Sequence, residues 1–261
     1  MIKLAANLSF LFTEHDFRGR FSAAAEAGFT AVEYLFPYEY EKRTLAGLLT
    51  DNNLKQALFN LSPGDWDQGE RGLAAILGRT KDFQISVEQA VEYAEALGCQ
   101  RLHIMSGLRD AGISYQAQRD LYLANLEYAA EQVKGSNITF TIEPINTIDM
   151  PGYFLNDFDE AANIVAEIAS PHLKLQFDFY HCHRIYGEVL PRLKQYLPIT
   201  SHIQLASPPG RNEPSVGELD HVPLLSYLES TSYDGYVGCE YKPSYTTRSS
   251  LKWAEKYLKT G

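Results

Sequence analysis

The chain has 261 residues, of which 45% are apolar and 21% charged, so it can bury a sizeable core and is not disordered in bulk. Its net charge of −10 disfavours binding to nucleic acid and to anionic membranes, which both need clustered Lys and Arg, but leaves small anionic metabolites open. No apolar run approaches the roughly 20 residues of a membrane helix, no leader cleavage site is recognisable, and three scattered cysteines favour reduced thiols, so we expect a cytoplasmic protein.

Short apolar or β-branched runs alternate with segments of helical spacing from end to end. Eight runs predict strands at 4–11, 30–36, 56–62, 101–107, 138–146, 173–181, 201–207 and 236–243. Helices are predicted between or after them at 16–29, 87–98, 115–133, 158–169 and 251–259. Ser114 is expected to cap the third of these helices, and Gly28 and Gly98 are expected to end the first two.

This alternation predicts a parallel sheet, and its eight units predict one closed (β/α)8 barrel domain over residues 1–261. A doubly wound sheet is the alternative, but it would usually carry a glycine-rich phosphate turn after its first strand, where this chain has FTEHDF. One connection, 62–83, is unusually long and contains Trp66. Such a loop is either a lid or wall of a pocket, or a plain surface loop.

Each of the last four predicted strands carries one polar residue near its C-terminal end. They are Glu143, Asp178, Gln204 and Glu240, with separations of 35, 26 and 36 residues. Any one of them alone could make only a local hydrogen bond. Because parallel barrel strands end at one rim, all four together predict a metal site, and their oxygen atoms suit Mg²⁺ or Mn²⁺ better than zinc.

Four histidines lie within or just after the predicted strands. His181 and His183 form an H-x-H pair that closes predicted strand six. We expect His181 to hydrogen-bond a substrate or a metal ligand, and His183 to start the following helix. His103 and His202 fall early or midway in their strands, so we expect them to be packed in the core.

An anionic substrate needs cations and donors at the same rim. Lys242 shares the face of Glu240 if the strand continues. Taken alone, Lys242, Arg71 or Arg211 is more often a solvated surface charge. The candidate substrate-binding residues are His181, Lys242, Arg71 in the long loop, Arg211 beyond strand seven, Glu33 on strand two and Asn7 on strand one.

Several segments resemble one enzyme family. AANLSFLFTE, FTAVEYLFPY, PGDWDQGERGLAAILGR, IEPIN, DFYH and GCEYKP are similar to the hydroxypyruvate isomerase family, which includes 2-oxo-tetronate isomerases and belongs to the xylose-isomerase-like TIM barrels. The resemblance spans nearly the whole chain. It implies metal ligation by Glu143, Asp178, Gln204 and Glu240, with Glu143 and Glu240 as the proton-shuttling pair. Phe59 stands where some hydroxypyruvate isomerases have His, which leaves the oxo-tetronate substrate open.

The expected reaction interconverts a small keto-hydroxy acid and its aldehyde or keto isomer through an enediolate. Lys242, Arg71 or Arg211 would pair with the substrate carboxylate. The alternatives are a ketose 3-epimerase, an endonuclease-like hydrolase with a His-rich zinc site, and a non-catalytic sugar-acid binder. The sequence leaves open the native metal, the carbon count of the substrate and the oligomeric state, a homo-oligomer included.

Overall fold

Eight parallel strands close into a barrel in the computed structural model, which describes residues 2–258. Each strand pairs with the next along the chain, and β1 pairs with β8. The (β/α)8 prediction is confirmed. The strands are β1 Lys3–Asn7, β2 Ala31–Tyr34, β3 Lys55–Asn60, β4 Arg101–His103, β5 Thr139–Ile142, β6 Leu173–Asp178, β7 Thr200–Leu205 and β8 Tyr236–Cys239.

Helices connect the strands around the outside of the barrel. They are α1 Gly19–Glu26, α2 Lys42–Asp51, α3 Thr80–Leu97, α4 Tyr115–Gln132, α5 Phe158–Ile168, α6 Phe179–Tyr186, α7 Leu190–Tyr196, α8 Val222–Glu229 and α9 Thr247–Ser250. Within residues 2–258, none of these helices has the length and apolar character needed to cross a membrane.

Local sequence signals set several helix ends. The Ser114 hydroxyl accepts the N–H of Ala117 at 3.1 Å and so caps α4, as predicted. Gly98 follows the last residue of α3 with a left-handed φ of 63°, which also agrees with the prediction.

Inward side chains on β1 and β2 change from small to polar along the barrel axis. Ala5, Ala31 and Ala57 form a small separate cluster near the N-terminal ends of β1, β2 and β3. Asn7 and Glu33 lie two residues further along β1 and β2, on the same inward face because strand side chains alternate. On these strands the small side chains therefore lie toward one end of the barrel, and polar side chains gather toward the end where the strands finish.

Two sequence predictions were wrong near strand and chain ends. Strand β6 ends at Asp178, whose carboxylate accepts the N–H of Tyr180 at 2.7 Å and starts α6 at once. The H-x-H pair therefore lies inside a helix, and His183 does not start it.

The helix predicted at 251–259 is replaced by α9 and a short 3-10 turn, Lys252–Ala254. Leu251 and Ala254 are both buried, and their spacing of three suits a 3-10 turn. Lys259 lies outside the described residues.

The Ser114 cap gives a direct test of the local analysis. We expect Ser114→Ala to lower the free energy of unfolding by about 1 kcal/mol, because an N–H at the start of α4 loses its acceptor. Urea denaturation of the variant and of Ser22→Ala measures this. Ser22 lies within α1 and donates to the carbonyl of Gly19, so its replacement should cost under about 0.5 kcal/mol. Equal effects at the two sites would contradict the assignment.

Candidate functional site

A cavity of about 160 Å³ opens at the end of the barrel where the strands finish. Its wall is partly aromatic, since Phe10, Phe36 and Trp66 line it. Trp66 belongs to the loop 62–83, and its ring centre lies 5.5 Å from that of Phe36. Leu73 of the same loop is buried. The loop therefore supplies a wall of the cavity and is more than a surface connection.

Two carboxylates from neighbouring strands meet beside this cavity. Glu143 follows the last residue of β5, and Asp178 is the last residue of β6. With His181, each offers one atom within 4.8 Å of the others. Oε1 of Glu143 and Oδ2 of Asp178 are buried, and neither has a hydrogen-bond partner in the described part of the chain. Because a buried unpaired carboxylate is costly, this donor set fits a divalent cation.

Burial dominates the electrostatics of the acids. It raises the pKa of Glu143 well above the ordinary value, and the charges of Asp178 and Glu240 raise it further. Burial also raises the pKa of Asp178 and of Glu240, although the charge of Arg211 opposes the rise at both. The group can hold its full negative charge only with positive charge close by.

Arg211 brings positive charge into the cavity. Its Nη2 donates to Oε1 of Glu240 and lies 3.6 Å from Oδ2 of Asp178. The guanidinium carbon is 5.3 Å from the ring centre of Phe10 and 5.2 Å from that of Tyr180. Arg211 also has a φ of 56°, in the left-handed region that favours glycine, so the surrounding structure holds it in place.

Gln204 was expected at the rim beside Glu240, but it lies one inward-facing position deeper in the barrel. It pairs in register with Gly238 on β8, two residues before Glu240. Its Nε2 donates to Oε2 of Glu240 at 2.6 Å and to Oε1 of Glu33 at 2.8 Å. Its Oε1 accepts from Nε2 of Gln176 at 2.8 Å. In this structure the amide of Gln204 therefore orients carboxylates, and its oxygen is already paired.

Glu33 and Asn7 were expected to face a substrate, but they lie in the layer below the cavity. Glu33 is fully buried and accepts from Nδ2 of Asn7 at 3.1 Å and from Nε2 of His202 at 2.7 Å. Asn7 also donates to Oε2 of Glu240 at 3.0 Å. Both lie at inward positions deeper than the rim and do not line the cavity. Asn7 therefore orients Glu240, and Glu33 accepts from the same amide group. His202 is packed in the core, as predicted.

Two predicted cations point elsewhere. Lys242 is exposed, because β8 ends at Cys239 and the strand alternation does not reach residue 242. Arg71 stacks on Trp66 at 3.9 Å and donates to the carbonyls of Trp66 and Glu70. Among the cations proposed from the sequence, the fold brings Arg211 alone into the cavity wall, as far as the described residues go.

His103 was expected in the core but lines the cavity. It is the last residue of β4, and its Nε2 lies 3.7 Å from Oε2 of Glu143. Burial, aided by the neighbouring His202, lowers the pKa of His103 to about 3, so the ring is neutral. The predicted strand 101–107 ran too far. With its end at residue 103, the same reasoning that selected Glu143 would have selected His103.

His181 lies in the first turn of α6, beside the two acids. Its Nε2 is 3.7 Å from Oδ2 of Asp178, and its Nδ1 is 2.7 Å from Nδ2 of Asn146. Burial lowers the pKa of His181 well below its ordinary value, and the charge of Arg211 adds to this. Asn146 was not singled out from the sequence, although it ends the IEPIN segment that contains Glu143.

Comparisons with known proteins match most or nearly all of the chain. The family model described as a xylose isomerase-like TIM barrel matches residues 21–257. A 2-oxo-tetronate isomerase of Cupriavidus necator is 47% identical over 258 residues, covering 99% of both chains. The hydroxypyruvate isomerase of Escherichia coli is 40% identical over 257 residues, covering 98% of this chain and 100% of the other.

One solved structure is similar at the same level. A crystal structure described as an AP endonuclease of family 2 from Brucella melitensis has a TM-score of 0.97 and 44% identity, covering 99% of this chain and 100% of that one.

The layer below the cavity depends on a glycine. A Cβ on Gly238 would lie 2.2 Å from Oε1 of Glu33, so we expect Gly238→Ala to displace Glu33 and to cost about 1–3 kcal/mol of stability. The matched control is Gly47→Ala in α2, where a Cβ meets nothing within 4 Å. It should stabilise by about 0.5–1 kcal/mol. Thermal and urea unfolding compare them, and a harmless Gly238→Ala would contradict this packing.

Proposed function

The chain belongs to the xylose isomerase-like TIM barrel family, and we propose that it is an isomerase of small keto-hydroxy acids, of the hydroxypyruvate and tartronate semialdehyde or 2-oxo-tetronate type. The sequence resemblance to this family is confirmed. The observation that carries the proposal is that Glu143, Glu240 and Arg211 line the same small cavity.

The size of the cavity supports a small substrate. Its volume of about 160 Å³ is below the roughly 300–1,000 Å³ of pockets for drug-sized ligands. We therefore propose a three- or four-carbon acid as the substrate.

The acids of the site support a divalent metal cofactor, and we propose Mg²⁺ because the donors are oxygens. Glu143 and Asp178 would hold it, since they carry the unpartnered buried oxygens. Glu240 directly follows β8 and Gln204 is the next-to-last residue of β7, and we keep both in the proposed ligand set. Gln204 would bind the ion only after its Oε1 exchanges the hydrogen bond from Gln176 for it. When bound, such an ion stabilises negative charge on substrate oxygens.

Glu143 and Glu240 are the proposed proton-transfer pair. The reaction moves a proton between adjacent carbons through an enediolate, so one glutamate removes a proton as the carboxylate and the other donates one as the carboxylic acid. The surroundings of the two glutamates differ. Glu240 accepts hydrogen bonds from Arg211, Asn7 and Gln204. One oxygen of Glu143 has no hydrogen-bond donor among residues 2–258. Unequal surroundings separate the pKa values of such a pair.

Arg211 is the proposed anchor for the substrate carboxylate. A guanidinium group binds a carboxylate through two parallel hydrogen bonds, which fixes orientation as well as charge. The aromatic rings of Phe10 and Tyr180 beside it limit its movement. Substrate held there would lie next to Glu240.

An endonuclease is the second candidate, because one similar structure carries that description. The net charge of −10 and the small acidic cavity oppose DNA binding. Solvent deuterium incorporation into hydroxypyruvate and 2-oxo-tetronate, followed by NMR, tests the isomerase. Nicking of abasic DNA tests the endonuclease. Nicking without isomerisation would overturn the proposal.

The proposed proton-transfer pair, Glu143 and Glu240, can be tested by kinetics. We expect Glu143→Gln and Glu240→Gln each to lower kcat by about 10²–10⁴-fold, because a positioned acid or base is lost. NMR time courses with each keto acid measure the rate of isomerisation. The control is Glu95→Gln on the exposed surface of α3, which should be as active as the wild type. Near-normal rates in both site variants would reject the pair.

The proposed anchor of the substrate carboxylate, Arg211, can be tested by kinetics as well. We expect Arg211→Met to lower kcat/KM by about 10–100-fold, since a charge-assisted hydrogen bond is worth about 1.5–3 kcal/mol. Lys242→Met removes an exposed cation and should change kcat/KM less than about twofold. The two variants distinguish the anchor proposed from the cavity lining, Arg211, from the one that strand alternation predicts, Lys242. A larger loss in Lys242→Met would contradict the assignment to Arg211.

A further inference from the structure

We propose that Asn146 is a positioning residue that keeps His181 in the tautomer with its proton on Nε2. His181 then donates a hydrogen bond into the cavity and is not a metal ligand. The tautomer is a property of the protein alone, whereas its use in the reaction rests on the proposed function.

The orientation of the Asn146 amide is set by the loop after β5. Its Oδ1 accepts the backbone N–H groups of Ile148 at 3.1 Å and Asp149 at 3.0 Å. A rotated amide would place its NH₂ group against these two donors. Nδ2 is therefore the end of the side chain that faces His181.

Two donors meet Nδ1 of His181. Nδ2 of Asn146 is 2.7 Å away, and the backbone N–H of Asn146 is 3.4 Å away. A proton on Nδ1 would face both of them, so Nδ1 must accept. A neutral imidazole with an accepting Nδ1 carries its single proton on Nε2. Both residues are buried, with 1% and 2% of their surface exposed, so solvent cannot replace this contact.

The protonated nitrogen faces the acids. Nε2 of His181 lies 3.7 Å from Oδ2 of Asp178, the oxygen that lacks a hydrogen-bond partner within the described residues. A protonated ring nitrogen has no lone pair for a metal ion. Of the three residues that cluster within 4.8 Å, Glu143 and Asp178 can therefore be ligands, while His181 serves as a donor.

A fixed neutral donor suits the proposed reaction. Negative charge develops on substrate oxygens as a proton leaves carbon, and a donor already aimed at that place stabilises it without reorganisation. Asn146 does not line the cavity and acts only through His181.

The tautomer is measured directly by two-bond ¹H–¹⁵N NMR on the whole chain with ¹⁵N-labelled histidine, without substrate. His181 is assigned by the signal lost in His181→Asn. We expect an unprotonated Nδ1 and a protonated Nε2, unchanged on titration with Mg²⁺. A protonated Nδ1, or loss of the Nε2 proton on adding Mg²⁺, would overturn the proposal. This result does not depend on whether the protein is an isomerase.

Asn146→Asp tests the positioning role. Its carboxylate still accepts from the loop but offers His181 an acceptor, so Nδ1 should become protonated and kcat should fall about 10–100-fold. Asn156→Asp is the control, because among residues 2–258 the side chain of Asn156 donates to the carbonyls of Tyr153 and Phe154 and makes no hydrogen bond to His181. It should leave both readouts unchanged. An unaltered His181 signal in a folded Asn146→Asp variant would refute the role. If that variant does not fold, the wild-type spectrum still decides the tautomer.

Discussion

Carboxylates buried at one end of the barrel are the constraint on which the rest of this structure depends. Glu33, Glu143, Asp178 and Glu240 are all nearly inaccessible to solvent. A buried charge is stable only when donors or cations surround it. The protein meets this need in two ways, and the difference between them separates the support of the site from its reactive part.

The deeper acid is satisfied by the chain itself. Glu33 accepts hydrogen bonds from His202, Asn7 and Gln204. Gly238 has no side chain, which leaves room for the Glu33 carboxylate. Two of these donors, Asn7 and Gln204, also donate to Glu240. This layer therefore fixes one catalytic candidate from below while leaving no polar group of Glu33 for a ligand.

The acids nearer the cavity are only partly satisfied. Arg211 contacts Glu240 and approaches Asp178, but one oxygen of Glu143 and one of Asp178 lack hydrogen bonds within the described chain. Such groups reduce the stability of the fold, and a bound cation would recover that free energy. The site thus combines a lower layer in which the Glu33 carboxylate is hydrogen-bonded at both oxygens with an upper layer whose unpaired carboxylate oxygens are available for binding and chemistry.

The sequence by itself determined the eight strands, the caps at Ser114 and Gly98, and the rim that carries Glu143, Asp178 and Glu240. These follow from hydrophobic period and from the common direction of parallel strands, which are local properties repeated along the chain. The strands predicted from the sequence are too long, because the end of a strand depends on the contacts that the following residues make.

Only the tertiary structure decided which polar residues face the cavity. Arg211 enters from a loop, Gln204 and Glu33 stay one inward position deeper, and Lys242 turns to solvent beyond the end of β8. Strand alternation holds only while the strand lasts, and the position of a loop residue depends on residues distant in sequence. For that reason the spacing of motifs located the site, and the packing of the barrel assigned its members.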